Sequence, residues 1–414
     1  MRGRIFAVRQ YLGQSLWFIP ALAIVGAVVL SEIAVAIDRR LDTSGDHWYV
    51  FSGGPDTART VVSTIAASMI TFTALVFSIT MLVLQLSSSQ LSPRIMRTFL
   101  RDRVSQGTLA VFIATFTYSL LALRHLGELT TSGDLASIAV WLSVLLVVLS
   151  VLLFVYYIHH IAQAIRPVMI IGSIKAETRR ALEQTYPADD PDLSPALPQR
   201  EPGAVINLEG RSGILVDLSL AQLQSVAHEL SLQIELLPPV GEFVLEGSPL
   251  FRVWGNPPDS ARARLGRAVT VGRERTMEHD PRFGLRQLVD IGVRALSPGI
   301  NDPTTAVQVL DALLELLAFA RQRPTTEVTV AGDEERIFLH RPSWDELVKL
   351  SVEEIRQYGS SSSQVLHGLE RLLTELLARA REDQKPVLRR ELILVQQALR
   401  GQFGQEGTAL VSQA

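Results

Sequence analysis

Hydrophobic residues are concentrated in four windows of the chain that contain no Asp, Glu, Lys or Arg. The windows are residues 10–31, 60–93, 104–123 and 135–165. A helix needs about 20 apolar residues to cross the hydrocarbon core of a bilayer, and each window is long enough to do so. The pattern therefore predicts four transmembrane helices near the N-terminus.

The second window carries polar side chains on two faces of its predicted helix, since successive residues are about 100° apart. One face holds Thr60, Thr64, Ser68, Thr71, Ser78 and Gln85, and the opposite face holds Thr73, Thr80 and Ser87. Small hydroxyl residues allow helices to pack closely and to bond across the contact. They also line water-filled paths. Both interpretations stay open, and the pore-lining candidates are Thr64, Ser68, Thr71, Ser78 and Gln85.

An amphipathic segment follows Pro93. Arg94, Arg97 and Arg101 lie on one side of it, and apolar residues lie on the other. We expect this segment to rest on the inner membrane surface, because its arginines then face anionic lipid headgroups. The lipid bilayer is thus the first expected partner.

Positive charge flanks the windows unevenly. Arginines and a lysine cluster before the first window, between the second and third, and after the fourth, whereas the other two loops carry few. By the positive-inside rule both termini lie in the cytoplasm of a bacterial inner membrane. Glu32 and Arg124 then lie near the outer surface, where they are positioned either to pair or to stay solvated.

The length and overall composition of the chain agree with a membrane domain followed by a soluble one. The chain has 414 residues, of which 47% are hydrophobic, and a net charge of −3. There is no cysteine, which excludes disulfides and thiolate metal sites. No basic run with interleaved aromatic residues points to nucleic acid. The N-terminal window is interpreted as a retained span rather than a cleaved signal.

The fold class predicted is an α-helical membrane protein of four transmembrane helices with a cytoplasmic α+β domain. The predicted segments are a transmembrane domain 1–165, a helix with a Pro-rich linker 166–202, a small β-module 203–255, a mainly helical domain 256–400 and a disordered tail 401–414. The β-module includes one helix at 220–230. Its stretch VGEFVLEGSPLFRV resembles the biotinyl and lipoyl hammerhead, but the carrier lysine is absent, so no cofactor is implied.

Helix boundaries are clearest after residue 280. Helices are expected at 282–296 and 303–322, with Asp302 as N-cap before a proline. A β-like stretch is expected at 327–339. Ser343 and Glu346 have the spacing of a capping box for the next helix. Helices at 362–381 and 386–400 complete the predicted bundle.

Residues 276–305 are the densest polar stretch and contain the candidate ligand site. Arg286, Asp290 and Arg294 recur every four residues on one helix face. The turn at Asn301 and Asp302 presents backbone N–H groups at a helix start, where an anionic ligand or small ion would sit. Alternatively, the Asp302 side chain itself accepts from those N–H groups as an N-cap, and the stretch then has a purely structural role. The ligand-binding candidates are Asp280, Arg286, Asp290, Arg294, Asn301, Asp302, Thr304 and Thr305.

Two long phrases carry a family resemblance. They are VFSITMLVLQLSSSQLSPRIMRTFLRDR in the second window and RFGLRQLVDIGVRALSPGINDPTTA further on. The chain resembles, over nearly its whole length, a bacterial family of predicted integral-membrane proteins classed as a domain of unknown function, number twenty-two fifty-four. The resemblance implies the architecture above and assigns no activity and no catalytic residues.

Three function classes compete. A homo-oligomeric channel or transport protein would use the second span as its lining, and a sensor or scaffold would bind a ligand or partner through the cytoplasmic domain. A membrane-tethered enzyme would place chemistry around Asp280, Asp290 and Asp302, but no GxxxxGK[ST], Gly-x-Ser-x-Gly or HExxH motif occurs. His159 and His160 end the fourth window and are interpreted as interfacial residues rather than metal ligands. The channel or transport protein ranks first and the enzyme last. The absence of charged residues deep in the spans counts against a proton-coupled transporter and leaves a passive pore open.

Overall fold

The structure is a computed structural model that describes residues 18–38, 54–90, 102–129, 137–164, 166–187, 197–277, 279–323, 328–331 and 337–411. The chain divides into two compact units, Met1–Arg166 and Pro167–Ala414. Arg94, Arg97 and Arg101 lie outside the described residues, as does most of the predicted Pro-rich linker.

The described residues of the N-terminal unit form four long helices. They are α1 (Phe18–Asp38), α2 (Gly54–Gln90), α3 (Arg103–Leu129) and α4 (Ser137–Ala164). Each predicted window overlaps one of them. Helix α1 extends beyond Ser31 and includes Glu32, because the Ala-rich sequence after Glu32 still favours a helix. Helix α2 is described as far as Gln90.

Helix α3 makes the most extensive contacts in this unit, and it packs against α1, α2 and α4. Its buried residues alternate at spacings of three and four, which is the pattern of a helix with a continuous buried stripe. They include Ser105, Thr108, Phe112, Thr115, Ser119, Ala122 and Leu126. The outer surfaces of α1, α2 and α4 carry large exposed apolar side chains, for example Leu22, Leu82 and Leu152. An apolar exterior of this extent is typical of contact with lipid.

A fifth described helix, Pro303–Ala320 in the C-terminal unit, is also long and apolar enough to cross a membrane. Half of its apolar window is buried inside the unit. It packs against four other helices of that unit, and a helix with apolar residues on most sides is typical of a protein core.

The C-terminal unit combines two sheets with a helical bundle. Its helices are α5 (Pro167–Thr185), α6 (Leu220–Leu230), α7 (Asp259–Gly266), α8 (Pro281–Ala295), α9 (Pro303–Ala320), α10 (Trp344–Tyr358), α11 (Ser363–Arg379) and α12 (Lys385–Val411). Its strands are β1 (Ala204–Asn207), β2 (Gly213–Leu218), β3 (Gln233–Leu236), β4 (Phe243–Val244), β5 (Pro249–Trp254), β6 (Val269–Gly272), β7 (Val328–Ala331) and β8 (Ile337–His340). A five-stranded sheet has the order β1-β5-β3-β8-β7, and a three-stranded sheet has the order β4-β2-β6.

The sheets extend beyond the β-module expected at 203–255. Strand β6 pairs with β2, and β8 pairs in parallel with β3, so strands distant in sequence complete both sheets. Parallel strands are joined by a long crossover and not by a tight turn, so no local turn signal connects β8 with β3. The sequence pattern therefore predicted that the β-module ends at residue 255. The core of this region includes Leu215, Leu223 and Phe251. Helix α6 has the predicted bounds.

The helix caps expected from sequence are confirmed. The Asp302 side chain accepts from the Thr305 N–H at the start of α9. Ser343 and Glu346 form a reciprocal capping box at the start of α10. The last helix continues to Val411, whereas the sequence analysis placed its end at Arg400 and a disordered tail after it. The tail contains Gln, Glu, Ala and Leu, which are good helix formers, between its weakly helical glycines.

Gly284 allows a close contact between α8 and α5. A Cβ atom at this position would lie 2.0 Å from the Thr178 Oγ1 atom, whereas one at Gly299 would meet nothing within 4 Å. We expect Gly284→Ala to lower the free energy of unfolding by about 1–3 kcal/mol because of this clash. The higher helix propensity of alanine offsets a small part of that loss. Gly299→Ala is the control and should change it by less than about 0.5 kcal/mol. Thermal unfolding of both variants measures the difference, and equal midpoints would show that the helices can separate at no cost.

Candidate functional site

The pore-lining candidates of α2 lie on the outer surface of the four-helix unit. Thr64, Thr71, Ser78 and Gln85 are exposed, and Ser68 is half-buried. The buried residues of α2 are apolar and lie on the opposite side of the helix, and they include Ala58, Val62, Met69, Val76 and Val83. Within the described part of the protomer, this polar face therefore does not mediate helix packing.

The hydroxyl groups of this face are bonded to their own helix. Thr64 donates to the Thr60 carbonyl, Ser68 to the Thr64 carbonyl and Ser78 to the Ala74 carbonyl, each at 2.8 Å. Bonding to a carbonyl four residues earlier is the usual arrangement of Ser and Thr within helices. The hydroxyl oxygens keep lone pairs that can accept from a group outside the helix.

The second polar face of α2 does pack inside the unit. Thr80 Oγ1 lies 2.7 Å from the Tyr157 hydroxyl of α4, and Tyr157 also donates to the Val76 carbonyl at 3.3 Å. Thr73 donates to the Met69 carbonyl at 2.7 Å. The packing interpretation thus applies to this face, and the outward face needs a different explanation. The side chain of Ser87 lies outside the described residues.

Two carboxylates connect α4 to the ends of α1 and α3, and neither was predicted from the sequence. Asp38 ends α1 and accepts from the N–H groups of Ile138 and Ala139, at 2.9 and 3.1 Å, at the start of α4. Asp102 accepts from the Ser105 N–H at 3.0 Å and lies 3.0 Å from His160 Nε2 on α4. Asp102 lies two residues before the third window, where an N-cap is expected, whereas Asp38 lies seven residues after the first window and has no such signal.

Glu32 of α1 has a neighbour on α3 that was not considered from the sequence. Glu32 Oε1 lies 3.6 Å from His125 Nε2. Arg124, the partner considered in the sequence analysis, is exposed. The helix rotation that buries His125 turns the preceding arginine outward, because adjacent residues on a helix point about 100° apart.

Arg286 and Asp290 belong to an ion-pair cluster between two helices. Arg286 Nε donates to Asp290 Oδ1 at 2.7 Å, and its two terminal nitrogens bond both carboxylate oxygens of Glu354 on α10, one of them at 2.8 Å. The hydrogen bond with Glu354 raises the pKa of Arg286 above its ordinary value. Arg294 is exposed in the last turn of α8. The sequence did not reveal Glu354, since it lies on a separate helix.

The turn at Asn301 is occupied by its own aspartate. Asn301 has a left-handed conformation with φ 51°. Asp302 accepts from the Thr305 N–H at 3.1 Å and from the Thr305 hydroxyl at 2.6 Å, and these bonds lower its pKa. Thr304 also contributes a backbone bond that lowers the pKa of Asp302. The donors that an anion would use are therefore already engaged.

Asp280 is a buried N-cap of α8. It accepts from the Phe283 N–H at 3.2 Å and pairs with Arg275 Nη2 at 2.7 Å. Burial raises the pKa of its carboxyl, and the Arg275 guanidinium opposes that rise. Gly241, at φ 93°, passes so close that a Cβ there would lie 2.1 Å from Asp280 Oδ2.

The three aspartates of the enzyme hypothesis do not converge. Asp280 caps the start of α8, whereas the Asp302 N–H donates to the Ala295 carbonyl at its end. A helix of 15 residues is about 22 Å long at 1.5 Å per residue. Asp290 lies between them and contacts Arg286. No shared reaction centre results from these three side chains.

Comparisons with known proteins agree with the membrane architecture. A family described as predicted membrane protein (DUF2254) matches residues 13–375. An uncharacterized protein of Mycobacterium bovis and one of Mycobacterium tuberculosis are each 33% identical over 422 aligned residues, covering 98% of this chain and 80% of the relative. No solved structure matches the chain.

Proposed function

This chain belongs to that family of predicted membrane proteins, and we propose that it is a homo-oligomeric channel or transport protein of a bacterial inner membrane. In this proposal α2 lines the path for a small ion, and the C-terminal unit is a regulatory domain in the cytoplasm. The protein is a multi-pass membrane protein with several apolar helices, and the finer assignment rests on the outward polar face of α2.

The proposed topology has four spans, α1 to α4, with both termini in the cytoplasm. The arginines flanking the windows support it through the positive-inside rule. Helix α9 is left out of the membrane because it is the packed centre of the C-terminal helices, and insertion into lipid would separate it from them.

The observation that carries the proposal is the polar face of α2 on the outside of the protomer. Thr64, Thr71 and Ser78 are exposed on a surface otherwise rich in large apolar side chains. The Ser and Thr hydroxyls of this face already donate to carbonyls of their own helix, and their remaining lone pairs favour a neighbouring helix or water over lipid. A second copy of the chain, or several around an axis, supplies both environments. The chain has no charged residue in 60–93, which fits a passive path better than proton coupling.

A second candidate function is a membrane-anchored sensor or scaffold that binds a ligand through the C-terminal unit. A cavity bordered by Leu236 and Arg341 favours it. The membrane-tethered enzyme has less support, because Asp280, Asp290 and Asp302 are spread from the start of α8 to the turn after its end.

Cysteine labelling tests the topology, and the chain offers a clean background because it contains no cysteine. We expect Asp46→Cys to react with a membrane-impermeant maleimide added outside intact cells. Arg400→Cys is the control and should react only after the cells are permeabilised. Reaction of position 46 from the cytoplasmic side alone would contradict the four-span arrangement.

Cross-linking in native membranes tests the oligomer. Thr71→Cys should give covalent dimers and larger species with a short bismaleimide, because copies of α2 face one another around the axis. Val148→Cys, on the exposed surface of α4, is the matched control and should remain monomeric. Equal cross-linking of the two variants, or none at position 71, would remove the support for an α2-lined assembly.

A further inference from the structure

The interior of the four-helix unit contains a row of buried polar side chains. The row consists of Ser31 on α1, Ser105, Thr108, Thr115 and Ser119 on α3, and Ser143 and Ser150 on α4. From Ser105 to Ser119 it covers about 21 Å of α3, at about 1.5 Å per residue, which is most of the hydrocarbon thickness of a bilayer. Polar residues inside a membrane-spanning bundle bond to their own or a neighbouring helix, or they border water.

Several members of this row have partners within the unit. Thr115 donates to the Val111 carbonyl at 2.8 Å, and its Oγ1 lies 3.1 Å from the Ser150 Oγ atom. Ser143 donates to the Ala139 carbonyl at 3.0 Å. Bonds of this kind are the usual arrangement of hydroxyl groups within helices. Because protein atoms satisfy these hydroxyls, they do not by themselves require water.

Ser119 and Ser31 differ from these members of the row. Ser119 is 0% exposed and Ser31 is 1% exposed, and neither Oγ atom has a hydrogen-bond partner among the described residues. One turn to either side of Ser119 along the buried stripe, Thr115 contacts Ser150, and Ala122 belongs to an apolar cluster formed by all four helices. The surroundings of Ser119 are thus described residues. A buried hydroxyl without a partner is rare, and ordered water commonly supplies the missing bond.

Water fits the positions of both hydroxyls. Residues four apart on a helix have Cβ atoms about 5–6 Å apart, so a single water reaches both Ser119 and Thr115. After its bond to the Val111 carbonyl, the Thr115 hydroxyl keeps lone pairs that accept from such a water. The buried stripe of α1 that contains Ser31 ends at Asp38, which is bonded to the start of α4. Polar groups therefore continue from Ser119 to this end of the unit.

Three phenylalanine rings interrupt the row near its middle. Phe112 occupies the buried stripe of α3 between Thr108 and Thr115, and it is 0% exposed. Its ring centre lies 6.1 Å from that of Phe72 on α2 and 6.4 Å from that of Phe154 on α4, and the last two are 5.2 Å apart. An apolar constriction of this kind excludes water and closes a path. The phenylalanine cluster thus separates two polar halves of the interior.

We propose that the interior of each four-helix unit holds a water-filled recess that contains Ser31 and Ser119. The recess opens at the end of the unit where Asp38 caps α4, and the phenylalanine cluster closes its inner end. It is separate from the outward polar face of α2, which lies on the other side of that helix from its buried residues. The failure of either proposal therefore leaves the other intact.

Cysteine reactivity with silver ion in native membranes tests the hydration, because the chain contains no cysteine. Silver ion is small and reacts with the thiolate, which forms in water and not in lipid. We expect Ser119→Cys to react at least about tenfold faster than Leu145→Cys, measured as protection from later maleimide labelling of the denatured protein. Leu145 is 61% exposed on the outer surface of α4. Both positions lie about one turn closer to the α3–α4 loop than the contact between Thr115 and Ser150, so their depths are matched. Equal rates at the two positions would overturn the proposal.

Proton leak through liposomes that contain the protein tests the closure. Phe112→Ala should speed the collapse of a proton gradient by about an order of magnitude, because loss of the ring lets water join the two halves. Phe77→Ala removes a ring that is 51% exposed on the outside of α2 and should leak like the parent. If Phe112→Ala does not fold, Phe72→Ala, at a half-buried position, takes its place. Adding Ser68→Leu should not reduce the leak. A reduced leak would place it on the outward face of α2, and an unchanged leak in the folded phenylalanine variant would show that the cluster closes nothing; either result would overturn the proposal.

Discussion

Ser68→Leu and Thr71→Leu are expected to reduce flux through liposomes containing the protein by about an order of magnitude, with the oligomer intact. Both positions lie on the polar face of α2 that points out of the four-helix unit. A leucine there replaces a small polar group by a bulky apolar one. The path becomes narrower, and water is excluded from it. Flux of K⁺ and Cl⁻ from loaded liposomes, together with native mass spectrometry of the same preparations, measures both quantities.

The controls separate a lining role from a packing role. Val148→Leu adds bulk on the exposed surface of α4 and should leave flux unchanged. Thr80→Leu changes the inward face of α2, where the hydroxyl contacts Tyr157, and should destabilise the protomer itself. A dissociated oligomer in Ser68→Leu would assign the outward face to close helix packing between copies. Unchanged flux and unchanged assembly would leave this face without functional importance.

Asp280→Ala is expected to destabilise the C-terminal unit by about 3 kcal/mol, because it leaves the Arg275 guanidinium without its carboxylate and the start of α8 without its cap. For a unit of this size, that corresponds to a fall of roughly 6–12 °C in the unfolding midpoint. Asp280→Asn should lose less stability than Asp280→Ala, since asparagine also caps helices. Limited proteolysis of the full chain during heating follows the C-terminal unit specifically.

An exposed aspartate provides the comparison. Asp259 lies in the first turn of α7, and its contact with Arg262 at 3.7 Å is on the surface. Asp259→Ala should shift the midpoint by little, because exposed ion pairs contribute about 0–1 kcal/mol. A similarly small shift in Asp280→Ala would mean that the cost of burying the Asp280 carboxylate cancels the stabilisation from its pairing with Arg275.

Local patterns in the sequence predicted much of the fold. The charge-free windows found all four helices of the N-terminal unit because a long apolar helix has a strong compositional signal. Proline after Asp302, and glutamate three positions after Ser343, located the starts of α9 and α10, because capping depends on neighbouring residues. These features need no knowledge of tertiary contacts.

Contacts between distant segments account for what the sequence did not reveal. The pairing of β8 with β3 and the bonds from Arg286 to Glu354 join residues that no local pattern connects. The extensive packing of α3 was not predicted either, because the apolar content of a window does not show which helix is covered by its neighbours. The two polar faces of α2 were recognised from spacing, but only the packing of Thr80 against Tyr157 showed which face points inward.

A structure of the lipid-embedded assembly determined by electron cryo-microscopy is the most direct test of the proposed function. The account predicts several copies around a symmetry axis, with Thr64, Ser68, Thr71 and Ser78 of each α2 facing a continuous water-filled path. A monomer, or an assembly in which this face of α2 contacts lipid, would contradict it.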